Sequence, residues 1–219
     1  MLVLAVHGSP APGTGRTIAR LVQRLDRPAL VGHLDAQCPS LADVLARHPG
    51  ATVVPLLLGN GYHRTVDIPA LTRRHHCTLT EGLAGEPDVA RAVHERLVAA
   101  GGPGDAIVVA GAGSTRPGGI DGTRAVAREL SRTHPDLPVV DAYCSAARPT
   151  VPDRVEALRR AGFRRITIAT HLLAPGRFTR ALEATPGVHA VSAPIADHPL
   201  IARLVLNRYE SVRPEVLAA

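Results

Sequence analysis

Lysine and tryptophan are absent from this sequence, and all 25 basic side chains are arginine. A P-loop lysine and a Schiff-base lysine are therefore both excluded. Aromatic residues make up 2% of the chain, with two Phe and three Tyr. So few rings supply no stacking surface of the kind nucleic acid needs. The three cysteines, Cys38, Cys77 and Cys144, contain no Cys-x-x-Cys pair. Reduced thiols in a cytoplasmic protein are expected, with no disulfide frame or zinc knuckle. Apolar runs all fall well short of the roughly 18 residues that span a bilayer. Residues 1–6 are apolar but lead into His-Gly-Ser-Pro without a basic segment, so they read as a first strand and not a signal peptide. Neither nucleic acid nor a membrane is an expected partner.

What remains is 219 residues, 45% hydrophobic, with a formal charge of +6 and a pI near 10.2. Such a charge suits a small polyanion, and it equally suits an arginine-rich coding bias. Short apolar runs at 2–6, 29–34, 52–57, 77–80, 106–110, 139–142, 166–170 and 188–192 read as strands. Between them, amphipathic stretches at 16–25, 40–47, 67–74, 88–99, 123–132, 152–161, 176–183 and 199–209 read as helices. This alternation predicts an α/β fold with parallel sheets covered on both faces. Four βα units per half give two similar, doubly wound lobes. The turn-rich segment Ala100-Gly101-Gly102-Pro103-Gly104 marks the expected boundary, dividing the chain into 1–102 and 103–219.

The halves echo one another. Leu4-Ala5-Val6-His7-Gly8-Ser9 pairs with Val109-Ala110-Gly111-Ala112-Gly113-Ser114, and Leu56-Leu57-Leu58 through Gly61-Tyr62-His63 pairs with His171-Leu172-Leu173 through Gly176-Arg177-Phe178. His7 thus faces Ala112 and His63 faces Phe178. Both histidines follow strands, where doubly wound sheets bind their ligands. Two imidazoles without thiolates suit a divalent ion that is held loosely, and they also accept protons near neutral pH. Asp35, at the end of the second strand, either completes a metal site or caps the helix near Ser40. Asp67, two residues before Pro69, reads as the N-cap of the third helix. His171 aligns with Leu56 inside a strand and reads as buried, while His198 before Pro199 suits a cap. The glycine-rich segment 8–16 lacks both Gly-x-Gly-x-x-Gly spacing and a lysine, so a flavodoxin-like nucleotide module is a weak rival. Ser9 beside His7 invites a nucleophile reading, but no Gly-x-Ser-x-Gly elbow surrounds it.

These pieces resemble the sirohydrochlorin chelatases of the CbiX/SirB type, the class II chelatases. The likeness runs through His7-Gly8-Ser9, Asp35 to Pro39-Ser40, Val54-Pro55-Leu56 to His63, Asp67-Ile68-Pro69, Ala112-Gly113-Ser114, Leu172 to Phe178, and His198-Pro199-Leu200 to Tyr209. It implies insertion of Co²⁺, Fe²⁺ or Ni²⁺ into sirohydrochlorin, on the way to siroheme, cobalamin or a nickel tetrapyrrole. By that likeness His7 and His63 are the metal and proton-handling residues. Asp35 stands where the family usually has Glu. The metal is a substrate, and no tightly bound cofactor is expected. The partner implied is an anionic tetrapyrrole, whose carboxylates suit Arg; Ser9, Arg64, Arg116 and Arg177, in the strand-end loops, are the expected contacts. A monomer or homodimer is expected. The rival from another class is a carrier that binds metal or tetrapyrrole without turnover.

Overall fold

The computed structural model describes residues 1–11, 13–35 and 37–212. The first half runs β1 (Leu2–Val6), α1 (Thr14–Gln23), β2 (Ala29–His33), α2 (Leu41–Arg47), β3 (Thr52–Pro55), a single π-helical turn (His63–Asp67), α3 (Ile68–Arg74), β4 (Thr78–Leu79) and α4 (Pro87–Ala99). The second runs β5 (Ala106–Gly111), α5 (Asp121–Thr133), β6 (Val139–Tyr143), α6 (Val151–Arg160), β7 (Ile166–His171), α7 (Arg177–Glu183), β8 (Val188–Val191) and α8 (Pro199–Glu210). Each half forms a four-stranded parallel sheet, ordered β2-β1-β3-β4 and β6-β5-β7-β8. The expected α/β fold with two similar lobes is what the chain adopts.

The central strands β1 and β5 are buried along their whole length, which is why they read as unbroken apolar runs and not as alternating ones. Helix starts follow local chemistry. Ser40 accepts from the Asp43 amide to begin α2, and Thr150 and Asp153 form a reciprocal capping box at α6. His198 begins α8, its side chain accepting from the Leu200 amide, as the sequence suggested. Asp67 behaves differently: its backbone is already helical and its side chain makes no cap bond. The π turn runs directly into α3, so the expected N-cap at Asp67 is corrected to an interior position.

The internal repeat extends to backbone detail. Gly8 and Gly113 both adopt the left-handed region, at φ +88° and +90°. A Cβ on Gly8 would meet the Asp35 carbonyl oxygen at 2.1 Å, and one on Gly113 would meet that of Ser145 at 1.8 Å. Only glycine permits this approach. The amides of Asp35 and Ser145 donate to the carbonyls of His7 and Ala112, both at 2.9 Å. Ser145 is therefore the counterpart of Asp35.

One core spans the two halves. Leu2, Leu4 and Val6 on the inner face of β1 belong to the same apolar cluster as Ile107 and Val109 of β5, with α1, α4, α5 and α8 between the sheets. Val3 and Ala5 point the other way, under α2 and α3, and the outer face of the second sheet packs on α6 and α7. The last helix of each half crosses over: α4 packs on β7, and α8 packs on β3. Ion pairs link the crossing helices, with Arg203 to Asp88 at 2.9 Å and Arg208 to Glu86, just ahead of α4. Among the described residues no helix is long and apolar enough to cross a membrane.

Candidate metal site and cleft

In each sheet the chain winds outward in both directions from the neighbouring pair of strands β1 and β3, or β5 and β7. That reversal point is where open α/β sheets leave a crevice beyond their carboxyl ends. His7 follows β1 and His63 lies beyond β3, so the two straddle it. Their ring centroids are 5.1 Å apart. Asp35 leaves the neighbouring strand β2 and is drawn over by the hydrogen bond that its backbone N–H donates to the His7 carbonyl. Its Oδ2 lies 3.5 Å from His7 Nδ1 and 3.2 Å from His63 Nε2. Ligand atoms of the three side chains all fall within 4.8 Å of one another. Of the two roles left open for Asp35, the structure brings the carboxylate to the imidazoles and gives the α2 cap to Ser40.

Sequence reasoning missed a fourth member. Asp67 Oδ2 lies 2.6 Å from His63 Nδ1, four residues along the π-helical segment. A carboxylate accepts, so the hydrogen-bond network assigns a proton to Nδ1. The Nε2 of neutral His63 then carries a lone pair aimed at the Asp35 carboxylate. Two acceptors facing each other at 3.2 Å repel unless a proton or a cation sits between them. Desolvation lowers the pKa of His7, and so would a charge on His63, against the opposing pull of Asp35; the direction favours the imidazole form that offers a lone pair. Asp35 is about half exposed, at 53%, so the site stays open on one side.

The three groups sit in a cleft of about 700 Å³ between the lobes, the size range of small-molecule sites, roughly 300–1,000 Å³. Leu56, Leu58, Leu172 and Leu173 make its apolar base. Ser9 lines the cleft; its amide donates to Gln37 Oε1 at 3.0 Å and its hydroxyl accepts from the Ala11 amide. Among the described residues no imidazole bonds that hydroxyl, which leaves the nucleophile reading without a base. Arg64 also lines the cleft, yet its guanidinium is taken by the Thr80 carbonyl at 3.3 Å and by Glu81 at 3.1 Å. Arg177, at the cleft edge, lies over the Phe178 ring at 5.0 Å. Arg116 lies over Tyr62 at 4.8 Å. Ala112 and Ser145, which repeat the backbone geometry of His7 and Asp35, line the same cleft, as does Phe178, aligned with His63 in sequence. His171 is buried as expected, at the end of β7, with Nδ1 3.0 Å from the Thr123 hydroxyl and Nε2 unpartnered. Burial pushes its pKa down to about 4.

A two-lobed α/β scaffold thus carries a one-sided His–Asp–His cluster in its interlobe cleft. The CbiX family profile matches residues 1–100 and again 106–212, and the chain belongs to that family. Known structures share the fold. SirB from Bacillus subtilis with Fe³⁺ superposes with a TM-score of 0.73 at 23% identity, over 96% of this chain and 94% of that one. The sirohydrochlorin chelatase SirB from Bacillus subtilis subspecies spizizenii in complex with cobalt gives 0.69 at 21%, over 96% and 93%. CbiX, described as the terminal enzyme for biosynthesis of siroheme in denitrifying bacteria, gives 0.69 at 15%, over 97% and 99%. No curated protein matches the chain by sequence.

Proposed function

We propose that this protein is a sirohydrochlorin metal chelatase, a lyase that inserts Co²⁺ or Fe²⁺ into the carboxylate-rich macrocycle in the cytoplasm, for cobalamin or siroheme biosynthesis. The observation that carries this reading is the convergence of His7, Asp35 and His63 within 4.8 Å at the mouth of an interlobe cleft. Its similarity to SirB with Fe³⁺ and to a sirohydrochlorin chelatase crystallised in complex with cobalt adds support. His7, His63 and Asp35 are the metal ligands of the proposal. A set of imidazole and carboxylate donors with no thiolate holds first-row divalent ions without trapping them.

The stoichiometry follows from the donors. Insertion consumes one divalent ion and releases two pyrrolic N–H protons. As the ion passes to the macrocycle, the lone pairs of His7 and His63 that held it are freed, and those nitrogens take up the protons and pass them to water. The same residues thus serve as ligands and then as bases. Ser9, Arg116 and Arg177 contact the substrate's peripheral carboxylates. Arg64, already paired with Glu81, adds a fourth contact only by leaving that pair. The proposal keeps the division into lobes 1–102 and 103–219, and a monomer or homodimer as the working unit.

The test is an absorbance assay with sirohydrochlorin and Co²⁺, Fe²⁺ or Ni²⁺ in turn, for the native protein and for His7→Ala and His63→Ala. Insertion above background by the native protein, lost in both variants, is expected. Full activity in either variant removes the site assignment. Binding of metal and tetrapyrrole with no acceleration by any ion makes the protein a carrier.

A further inference from the structure

Arg116 and Tyr62 come from opposite lobes, yet their side chains stack. The guanidinium carbon lies 4.8 Å from the ring centroid, and among the described residues no carboxylate is within ion-pair distance of Arg116. Backbone packing brings the two loops together. A Cβ on Gly59 would meet the Gly119 carbonyl oxygen at 2.4 Å, and one on Gly61 would come within 3.7 Å of Ser114 Oγ. Arg116 is held in a turn by its backbone N–H donating to Ser114 Oγ and by its carbonyl accepting from the Gly119 N–H. Tyr62 stays 48% exposed, and its other neighbour is His63, edge to face at 6.2 Å and 73°. One aromatic ring therefore touches both a metal-side imidazole and an anion-side guanidinium. Arg177, which lines the cleft, rests on Phe178 of its own lobe and has no such cross-lobe partner.

We propose that Tyr62 is a positioning residue: its ring holds Arg116 across the cleft mouth, so that a carboxylate of an anionic macrocycle is caught at a set distance from the His7–Asp35–His63 cluster. The inference rests on the chelatase reading for its substrate class. The guanidinium is charged throughout, and its hydrogen-bonding edges remain free while its face is on the ring, so it meets a carboxylate without first breaking an ion pair. An exposed cation–π contact restricts the side chain only modestly, so its removal is felt as a change in affinity and not as a loss of fold.

The experiment uses the full chain and two probes: uroporphyrin, a metal-free porphyrin with eight carboxylates, followed by fluorescence, and Co²⁺ alone, followed by competition with an indicator. Tyr62→Leu is expected to weaken uroporphyrin binding by about two- to five-fold, leave Co²⁺ binding unchanged, and raise KM with little effect on kcat. Tyr62→Phe, which keeps the ring, restores native behaviour. In an Arg116→Gln background, Tyr62→Leu adds no further loss. Equal loss of Co²⁺ affinity, an undiminished effect in the Arg116→Gln background, or failure of Tyr62→Phe to restore binding overturns the proposal. Absence of metal insertion with the uroporphyrin pattern intact removes the chelatase reading and leaves this one standing. A native chain that binds no polycarboxylate porphyrin removes both.

Discussion

Replacing Asp67 by asparagine separates the orientation of His63 from its presence. The native carboxylate, 2.6 Å from Nδ1, accepts that proton and leaves Nε2 as the lone pair facing Asp35. An asparagine amide can turn its NH₂ toward Nδ1 and stabilise the other tautomer, in which Nε2 carries the hydrogen and offers an ion nothing. Carboxylates behind metal-bound histidines are typically worth about 10- to 100-fold in affinity or activity, or about 1.4–2.7 kcal/mol. Asp67→Asn is therefore expected to raise the Co²⁺ dissociation constant by about 10- to 100-fold, read by competition with a chelating indicator, and to lower the insertion rate in step. Asp67 caps nothing, so thermal stability of the metal-free variant should stay within about 0.5 kcal/mol of native. Unchanged Co²⁺ affinity refutes the orientation argument. A large loss of metal-free stability with affinity preserved assigns Asp67 to the fold alone.

Two further expectations concern the scaffold. The unfolded chain protonates His171 below its ordinary 6.5, while the folded protein resists until about 4. Stability is thus greatest above pH 6.5 and falls between 6.5 and 4, by roughly 3 kcal/mol from this residue. His171→Leu, the residue found at the equivalent Leu56, should flatten that share of the profile in urea unfolding at pH 7 and 4.5; parallel profiles for the two proteins sink the assignment. Leu97 of α4 is fully buried in the core common to both lobes. Leu97→Ala is expected to cost about 2–5 kcal/mol and to shift one cooperative calorimetric transition. Two transitions with only one displaced contradict a shared core.

Much of this was legible in the residues. The strand and helix periods gave the sheets, and the broken repeat marked His7 and His63, because a missing partner in a duplicated loop is visible without coordinates. Pro39 and Pro149, both after cis peptide bonds, lie 110 residues apart, and the same offset relates Asp35 to Ser145, so that correspondence is present in the sequence. Asp67 was hidden by a stronger local pattern, since Asp followed by Pro two residues later resembles a helix start. The π turn that extends the helix back to His63 leaves no periodic trace. Partner choice for α4 and α8 was equally invisible: an apolar stripe shows that a helix is covered, but not by which sheet. Nothing in the sequence separates Arg64 from the other loop arginines, because the Glu81 that pairs with it lies 17 residues on.

The crossing of α4 and α8 bears on how the two halves came to differ. Each half borrows a wall from its neighbour, so a cut between them would strip both. In two separate identical copies, any change at one site would be written into the other. Joining the halves through residues 100–105 lets a residue of one half change while its counterpart is retained, and the interlocked walls keep the altered half in place.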